Sequence, residues 1–470
     1  MTLWIGGEWI DTEEKIPVSN KYTGEVLGQV SVATREHVHQ AVVAGQRAMA
    51  NHPLSVQERY QILTSVSEQL AARVDELGMG IAQEAGKPYS EARTEVLRAV
   101  QTFRVAAEEA KRIHGEMVPL SSPHAQGRLA FTLRVPMGVV CAISPFNFPL
   151  NLVAHKVAPA IAAGNAFVLK PATYTPLTAI TLMQMFEVAG LPEGYGNLVI
   201  GGGGTVGEYL LQEEGFSFYT FTGSPAVGRH LRESVGLRQS TLELGSNSAI
   251  VVHEDANLDL AADRCAQTAF NNAGQVCISV QRIYVQEQVY EAFLSKFKTA
   301  VEALKVGDPT DPSTQVGPMI SEAEAQRAEA WVKEAEAAGA QLVTGGERRG
   351  AILTPAILTD AAPTCRVCSE EAFAPVVVVN PYTTVVEAIA KVNDSRYGLQ
   401  SGVFTSSIDV MLKCAKEIRV GGVNINDTSS FRADEMPYGG VKDSGIGREG
   451  PKYAIEEMTE SKLVVIHNQV

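Results

Sequence analysis

The chain has 470 residues, 45% of them hydrophobic and 20% charged, with a formal net charge of −14. Length and composition fit a globular protein of roughly two to four domains. The acidic balance excludes a nucleic-acid backbone as partner, since that needs clustered Lys and Arg, but it leaves room for a local basic pocket.

In chain order, the opening MTLWIGGEWIDTEEK has no basic stretch and no long apolar run. No signal peptide is read there, and a cytoplasmic protein is expected. Helical periodicity dominates from about Thr34 to Gly115, with polar faces rich in Glu, Gln and Arg. Val135 to Ala154 runs 20 residues without a charged side chain. Pro136, Pro145, Pro149, Asn147 and Asn151 within it argue for a buried strand and a turn, not for a membrane span.

From Ala130 short β-rich runs alternate with helices. VPMGVVCAIS, NAFVLKP, GNLVIGG and FSFYTFTGS read as strands, with AHKVAPAIAAG and PLTAITLMQMFEVAG as helices between them. After Glu243 the alternation resumes with SAIVVHED, LDLAADRCAQTAF, QRIYVQEQ and VYEAFLSKFKTAVEAL. Apolar strands spaced by helices imply βαβ units and parallel sheet, so the fold class is α/β. VGDPTDPSTQVGPMIS is a loop, and EAEAQRAEAWVKEAEAAG is a surface helix with one narrow apolar face.

Six cysteines in a chain this long do not make a disulfide scaffold. Cys365 and Cys368 form a single CxxC, and without a second pair of ligands no metal site is read. Cys277, in FNNAGQVCISVQR, follows a small flexible tripeptide and is a candidate nucleophile.

Four other stretches place polar residues where structure alone does not require them. Asn147 lies between two prolines at a strand-to-helix turn, where an amide donates into a cleft or closes an Asx-type turn. Lys170 ends a strand, a place where α/β sheets bind ligands and where solvated lysines are also common. VIGGGGTVG and FTGSPAVG are glycine-rich turns suited to phosphate or to simple linkage, neither being a clean GxGxxG. Glu243 falls inside an apolar run, where burial would raise its pKa towards that of a general base.

Over almost its whole length the sequence resembles the aldehyde dehydrogenase superfamily. The matching motifs, in family order, are PFNFP, LKPA, FTGS, LELGSNSA, NNAGQVC, EEAFAPV, NIND and PYGGVKDSGIGREG. The resemblance is strongest to the branch acting on lactaldehyde and to non-phosphorylating glyceraldehyde-3-phosphate dehydrogenases.

This resemblance implies Cys277 as nucleophile, Asn147 as oxyanion donor aided by the Cys277 N–H, and Glu243 as the base that activates water. It implies NAD or NADP as cofactor, held by Lys170, Thr173, Gly223, Ser224, Glu371 and Phe373. It also implies a Rossmann-type NAD(P)-binding domain over 1–116 and 137–243 and an α/β catalytic domain over 244–436. A small β oligomerisation element over 117–136 and 455–470 would build a homodimer or homotetramer.

Two positions depart from the family pattern. Thr173 stands where a glutamate often binds the ribose diol, which removes repulsion against a 2′-phosphate, so NADP should be tolerated as well as NAD. Ala374 replaces a glycine, a small change expected to be neutral. Arg104, Asn151, His155, Ser429 and Arg432 are expected around the substrate mouth, a set suited to a small polar or anionic aldehyde. Lactaldehyde and phospho- or sulfo-trioses fit that description. Succinate semialdehyde, or a broad range of aldehydes, is the alternative.

Overall fold

The computed structural model describes residues 1–467, and in it the apolar runs after Ala130 assemble an eight-stranded sheet. Its order is Glu8–Ile10, Leu3–Ile5, Gly196–Leu198, Ala166–Lys170, Val139–Ile143, Phe216–Thr222, Gln239–Glu243 and Gly445–Ile446. The five strands from Gly196–Leu198 to Gln239–Glu243 run parallel. From Val139–Ile143 the chain adds Ala166–Lys170 and then Gly196–Leu198 on one side, and Phe216–Thr222 begins on the other. That reversal opens a crevice outside the carboxyl ends of the strands, where open α/β sheets take their ligands.

Five residues, Leu244–Ser248, carry the chain from Gln239–Glu243 into a second sheet of seven strands. Its order is Gln341–Thr344, Ala356–Thr359, Val376–Tyr382, Arg282–Gln286, Ala249–Val252, Gln400–Phe404 and Gly422–Ile425. All neighbours are parallel except the first pair. Each sheet is filled by its own large apolar cluster.

Four helices, Arg35–Asn51, Val56–Ala72, Val74–Ala85 and Tyr89–Ala110, account for the helical periodicity near the amino terminus. Thr34 and Ser55 open the first two with reciprocal capping boxes, which satisfy N–H groups the first turn leaves free. The helix Asn151–Ala163 is buried along its entire length, between Tyr89–Ala110, Val56–Ala72, Pro451–Glu457 and the first sheet. A helix so enclosed has no solvent face, which is why the sequence there shows no amphipathic period, and its polar residues Asn151, His155 and Lys156 all bond to internal partners. The Glu322–Ala337 helix buries only Ala325, Ala328, Val332 and Ala335, the narrow face expected of it.

Arg128–Pro136 and Thr459–His467 pair antiparallel as an isolated ribbon. The element expected over 455–470 therefore starts later, because Ile455–Glu457 finish the helix Pro451–Glu457, which packs on Asn151–Ala163. Asn468, Gln469 and Val470 lie outside the described residues. Residues 437–454, assigned to no domain from sequence, supply the Gly445–Ile446 edge strand of the first sheet. Among the described residues no helix is long and apolar enough to cross a membrane.

Candidate active site

Cys277 lies in the loop between the Leu258–Ala269 helix and the Arg282–Gln286 strand. The loop reaches it through three successive left-handed residues, Asn272 (φ 49°), Ala273 (φ 54°) and Gly274 (φ 71°). For residues with a Cβ this costs about 1–3 kcal/mol each, so the turn persists only if its surroundings hold it. They do. The Asn272 N–H donates to Glu91 Oε2 at 2.9 Å, and Asn272 Nδ2 donates to the Asn147 carbonyl at 3.3 Å. Gln275 Nε2 donates to the Asn272 carbonyl at 2.9 Å. A Cβ at Gly274 would overlap the Ala374 carbonyl, so only glycine fits there.

Asn147 sits on the turn before the Asn151–Ala163 helix and is 3% exposed. Its Nδ2 donates to the Gln275 carbonyl at 2.9 Å, which orients the amide and leaves its second N–H for another acceptor. Glu95 Oε1 accepts from the N–H groups of Leu150 at 2.9 Å and Asn151 at 3.1 Å, fixing this turn from below. Lys87 pairs with Glu95, both fully buried, and its Nζ stands 3.6 Å from the centre of the Phe148 ring. Glu91 and Glu95, one turn apart on the Tyr89–Ala110 helix, thus pin the two loops that carry the thiol and the amide.

Cys277 lines two cavities that meet at it. The larger, about 510 Å³, follows the carboxyl ends of the first sheet's strands. Lys170, Thr173, Gly223, Ser224, Glu371 and Phe373 all line it, as do Asn147 and Glu243. The residues present suit a dinucleotide. Lys170 is buried with one internal bond, to the Pro171 carbonyl at 3.2 Å, and burial lowers its pKa to about 8. Gly223 and Ser224 precede the eleven-residue helix Pro225–Val235, whose amino end favours phosphate. A Cβ at Gly245 would overlap the Glu371 carboxylate, which accepts from the Ser246 N–H at 2.9 Å. Burial raises the Glu371 pKa to about 7.

Glu243 ends a strand 3% exposed, and among the described residues no side chain or N–H donates to either carboxyl oxygen. Burial first, then the negative charge of Glu449, raises its pKa well above the usual carboxylate range. Glu449 behaves oppositely. Despite burial, Lys156 Nζ at 2.9 Å and Arg432 Nη2 at 3.0 Å hold it ionised. Burial raises the Cys277 thiol to about 11, against the pull of Tyr438, whose hydroxyl lies 3.1 Å from Sγ, and of Arg432.

The smaller cavity, about 340 Å³, opens from Cys277 on the other side. Glu91, Arg98, Asn151, Ser430, Arg432 and Tyr438 supply most of its polar lining, with Phe148, Leu152 and Ile278 among the apolar residues. Of the residues expected around the mouth, Asn151 and Arg432 line this cavity. Three others do not. His155 is fully buried and lines neither cavity, because its Nε2 is held by Asp434 Oδ1 at 2.9 Å. Ser429 is turned inward and donates to the Ile278 carbonyl at 2.8 Å, leaving Ser430 on the wall. Arg104 is exposed and lines neither cavity; Arg98, on another face of the same helix, takes that place.

Tyr438, Arg98, Glu91 and Glu95 were missed as individual residues. Glu91, Glu95 and Arg98 fall four and three residues apart on one side of the Tyr89–Ala110 helix, a signal also given by an ordinary solvated face. Arg432 pairs with Glu449, and its guanidinium lies 3.7 Å from the centre of the Tyr438 ring.

Comparison with known proteins agrees with this geometry. Residues 9–464 match the model of the aldehyde dehydrogenase family. A 3-sulfolactaldehyde dehydrogenase of Priestia megaterium is 51% identical over 466 residues, covering 99% of this chain and 98% of its own. Aldehyde dehydrogenase 21 of Physcomitrella patens, solved with the reaction product succinate, superposes with a TM-score of 0.97 at 39% identity, covering 100% of this chain and 98% of that one. Glyceraldehyde-3-phosphate dehydrogenase GapN of Methanocaldococcus jannaschii, solved with NADP, gives 0.94 at 39% identity, covering 97% and 100%.

Proposed function

The chain belongs to the aldehyde dehydrogenase family and oxidises an aldehyde with NAD or NADP, and we propose that its substrate is a small polar or anionic aldehyde of the lactaldehyde, phospho- or sulfo-triose type. The observation that carries this reading is the position of Cys277 where a long cleft and a short, arginine-bearing mouth meet. A nucleophile shared by two cavities sees the aldehyde from one side and a hydride acceptor from the other.

In the reaction we infer, the Cys277 thiolate attacks the carbonyl carbon. Asn147 Nδ2 and the Cys277 N–H stabilise the oxyanion of the thiohemiacetal. Bound NAD or NADP supplies the hydride acceptor. Glu243 then takes a proton from water, which attacks the thioester and releases the carboxylic acid. A buried carboxyl with no fixed donor is free to face a water in that role. Lys170, Thr173, Gly223, Ser224, Glu371 and Phe373 would hold the cofactor, and the neutral Thr173 admits a 2′-phosphate.

Arg98 and Arg432 give the mouth two guanidinium groups within reach of an anionic substituent on the aldehyde. Both are anchored by carboxylates, which fixes their direction and leaves other N–H groups for the substrate. Succinate semialdehyde, a four-carbon anion, is the second reading, favoured by the product bound to the Physcomitrella patens relative. The ribbon of Arg128–Pro136 and Thr459–His467 exposes Leu129, Leu133, Leu463 and Ile466, and we take it as a contact between copies of the chain.

Absorbance at the NAD(P)H band across a panel of aldehydes tests the substrate. Sulfolactaldehyde, lactaldehyde, glyceraldehyde-3-phosphate, succinate semialdehyde and a neutral straight-chain aldehyde would be compared with each cofactor. Highest kcat/KM on the three-carbon polar aldehydes is expected. Highest kcat/KM on the neutral chain would overturn the substrate proposal.

A further inference from the structure

The Tyr438 hydroxyl lies 3.1 Å from Cys277 Sγ, inside hydrogen-bonding range for sulfur, on a side chain 3% exposed. Its position is fixed. The Tyr438 N–H donates to the Glu449 carbonyl at 3.1 Å, the Glu449 N–H returns a bond to the Tyr438 carbonyl at 2.7 Å, and Arg432 Cζ lies 3.7 Å from the ring centre. A guanidinium over a phenol ring draws electron density from it, which makes the O–H a better donor. Neither the nucleophile, the amide nor the base described above uses this hydroxyl.

We propose that Tyr438 is a catalytic residue that donates its hydroxyl hydrogen bond to the Cys277 thiolate, with Arg432 behind the ring supplying the positive field that favours this arrangement. The inference rests on the reading of Cys277 as nucleophile.

The groups that act on this sulfur are few. Tyr438 and Arg432 favour the thiolate, Glu371 and Glu243 oppose it, and burial opposes it most. A thiol this buried carries too little thiolate near neutral pH to react quickly, so a fixed donor has a large effect. A hydrogen bond to a charged group shifts such an equilibrium about 10–100-fold. The gain in rate is smaller, because a stabilised thiolate is also less nucleophilic. With a Brønsted slope of about 0.4–0.5, a tenfold rise in thiolate fraction yields roughly a threefold rise in rate. No proton leaves Tyr438 in this role. The C–S bond forms from the Sγ lone pair as the carbonyl π bond breaks and its electron pair moves to oxygen, and the phenol keeps its hydrogen throughout.

The test is the pH dependence of Cys277 alkylation by iodoacetamide, read by mass spectrometry, in the parent and in Y438F. This variant removes one oxygen and keeps the ring under Arg432. The expected result has two parts. Below the thiol pKa, Y438F reacts about 3–10-fold more slowly; its midpoint moves alkaline by at least about one pH unit; and its plateau at high pH lies above the parent's. Curves that overlay, or a uniform loss at every pH, would overturn the proposal. If Y438F does not fold, Y438M, which also removes the donor, is measured in its place, and a Y438M curve without an alkaline midpoint shift relative to the parent would overturn the proposal. Alkylation needs no aldehyde, so a parent without aldehyde oxidation would sink the proposed function while this measurement still decides on Tyr438.

Discussion

Arg98 and Asp434 form a two-point ion pair, Nε to Oδ2 at 3.2 Å and Nη2 to Oδ1 at 2.8 Å. Asp434 is buried, yet His155 and Arg98 keep it ionised. In R98A this carboxylate retains His155 and Asn151 as partners, so the fold should survive while the mouth loses a cation. KM for an anionic triose should rise about 10–100-fold, with a neutral aldehyde little affected. Steady-state kinetics on both substrates reads the difference, and equal effects on the two would contradict the role.

N147A removes the second amide N–H along with the bond to the Gln275 carbonyl. A lost oxyanion donor should lower kcat about 10²–10³-fold. Alkylation of Cys277 should stay within about threefold of the parent, since the thiol keeps its other neighbours. A kcat within tenfold of the parent would place the oxyanion elsewhere.

Glu243 and Cys277 both rest with raised pKa values, and both act in the deprotonated form. The sign follows: activity should rise with pH from the acid side and show no fall near neutrality from either group. E243Q should release one equivalent of NAD(P)H rapidly and then stall, because thioester formation survives while water activation is lost. Stopped-flow absorbance resolves the burst. A parent-like steady rate would exclude Glu243 as the base.

Glu91 holds the Asn272 N–H through one carboxylate oxygen. E91A should lower kcat about 10–100-fold through displacement of the Cys277 loop, with cofactor affinity unchanged. E91Q retains an acceptor and should recover most of the loss. Hydrogen exchange over 270–278 should quicken in E91A alone.

Thr173 lines the long cleft with no charge of its own. T173E should weaken NADP binding at least about tenfold by like-charge repulsion and spare NAD. Fluorescence titration of each dinucleotide measures this without turnover. Equal weakening would mean the side chain is remote from the 2′-position.

Much of the frame was legible in the residues. Strands such as Val139–Ile143 and Ala166–Lys170 read clearly because apolar β-branched runs bounded by Pro and Gly have few other folds. Cys277, Asn147 and Glu243 drew attention as polar or nucleophilic residues in PFNFP, LELGSNSA and NNAGQVC, and it was the resemblance of those motifs to the family's that implied their roles. The mouth was less so. Whether a helix turns Arg98 or Arg104 inward depends on its rotation against the Asn151–Ala163 helix, which a period alone does not give. Glu91 and Glu95 belong to a stretch read as having polar faces, yet they meet two loops instead of water, and Lys87 beside them meets the Phe148 ring. His155 was misplaced for the same reason: its partner Asp434 lies 279 residues away in sequence.

Five of the six cysteines are buried, and Cys277 alone is partly open. Electrophiles and peroxides should therefore meet a single target per chain, and one that rests protonated, with a pKa near 11. Oxidants attack thiolates far faster than thiols. The chain thus carries its reactive sulfur in a form that resists casual damage, and loss of activity under peroxide should follow the deprotonated fraction of one residue, with a stoichiometry of one modified sulfur per inactivated chain.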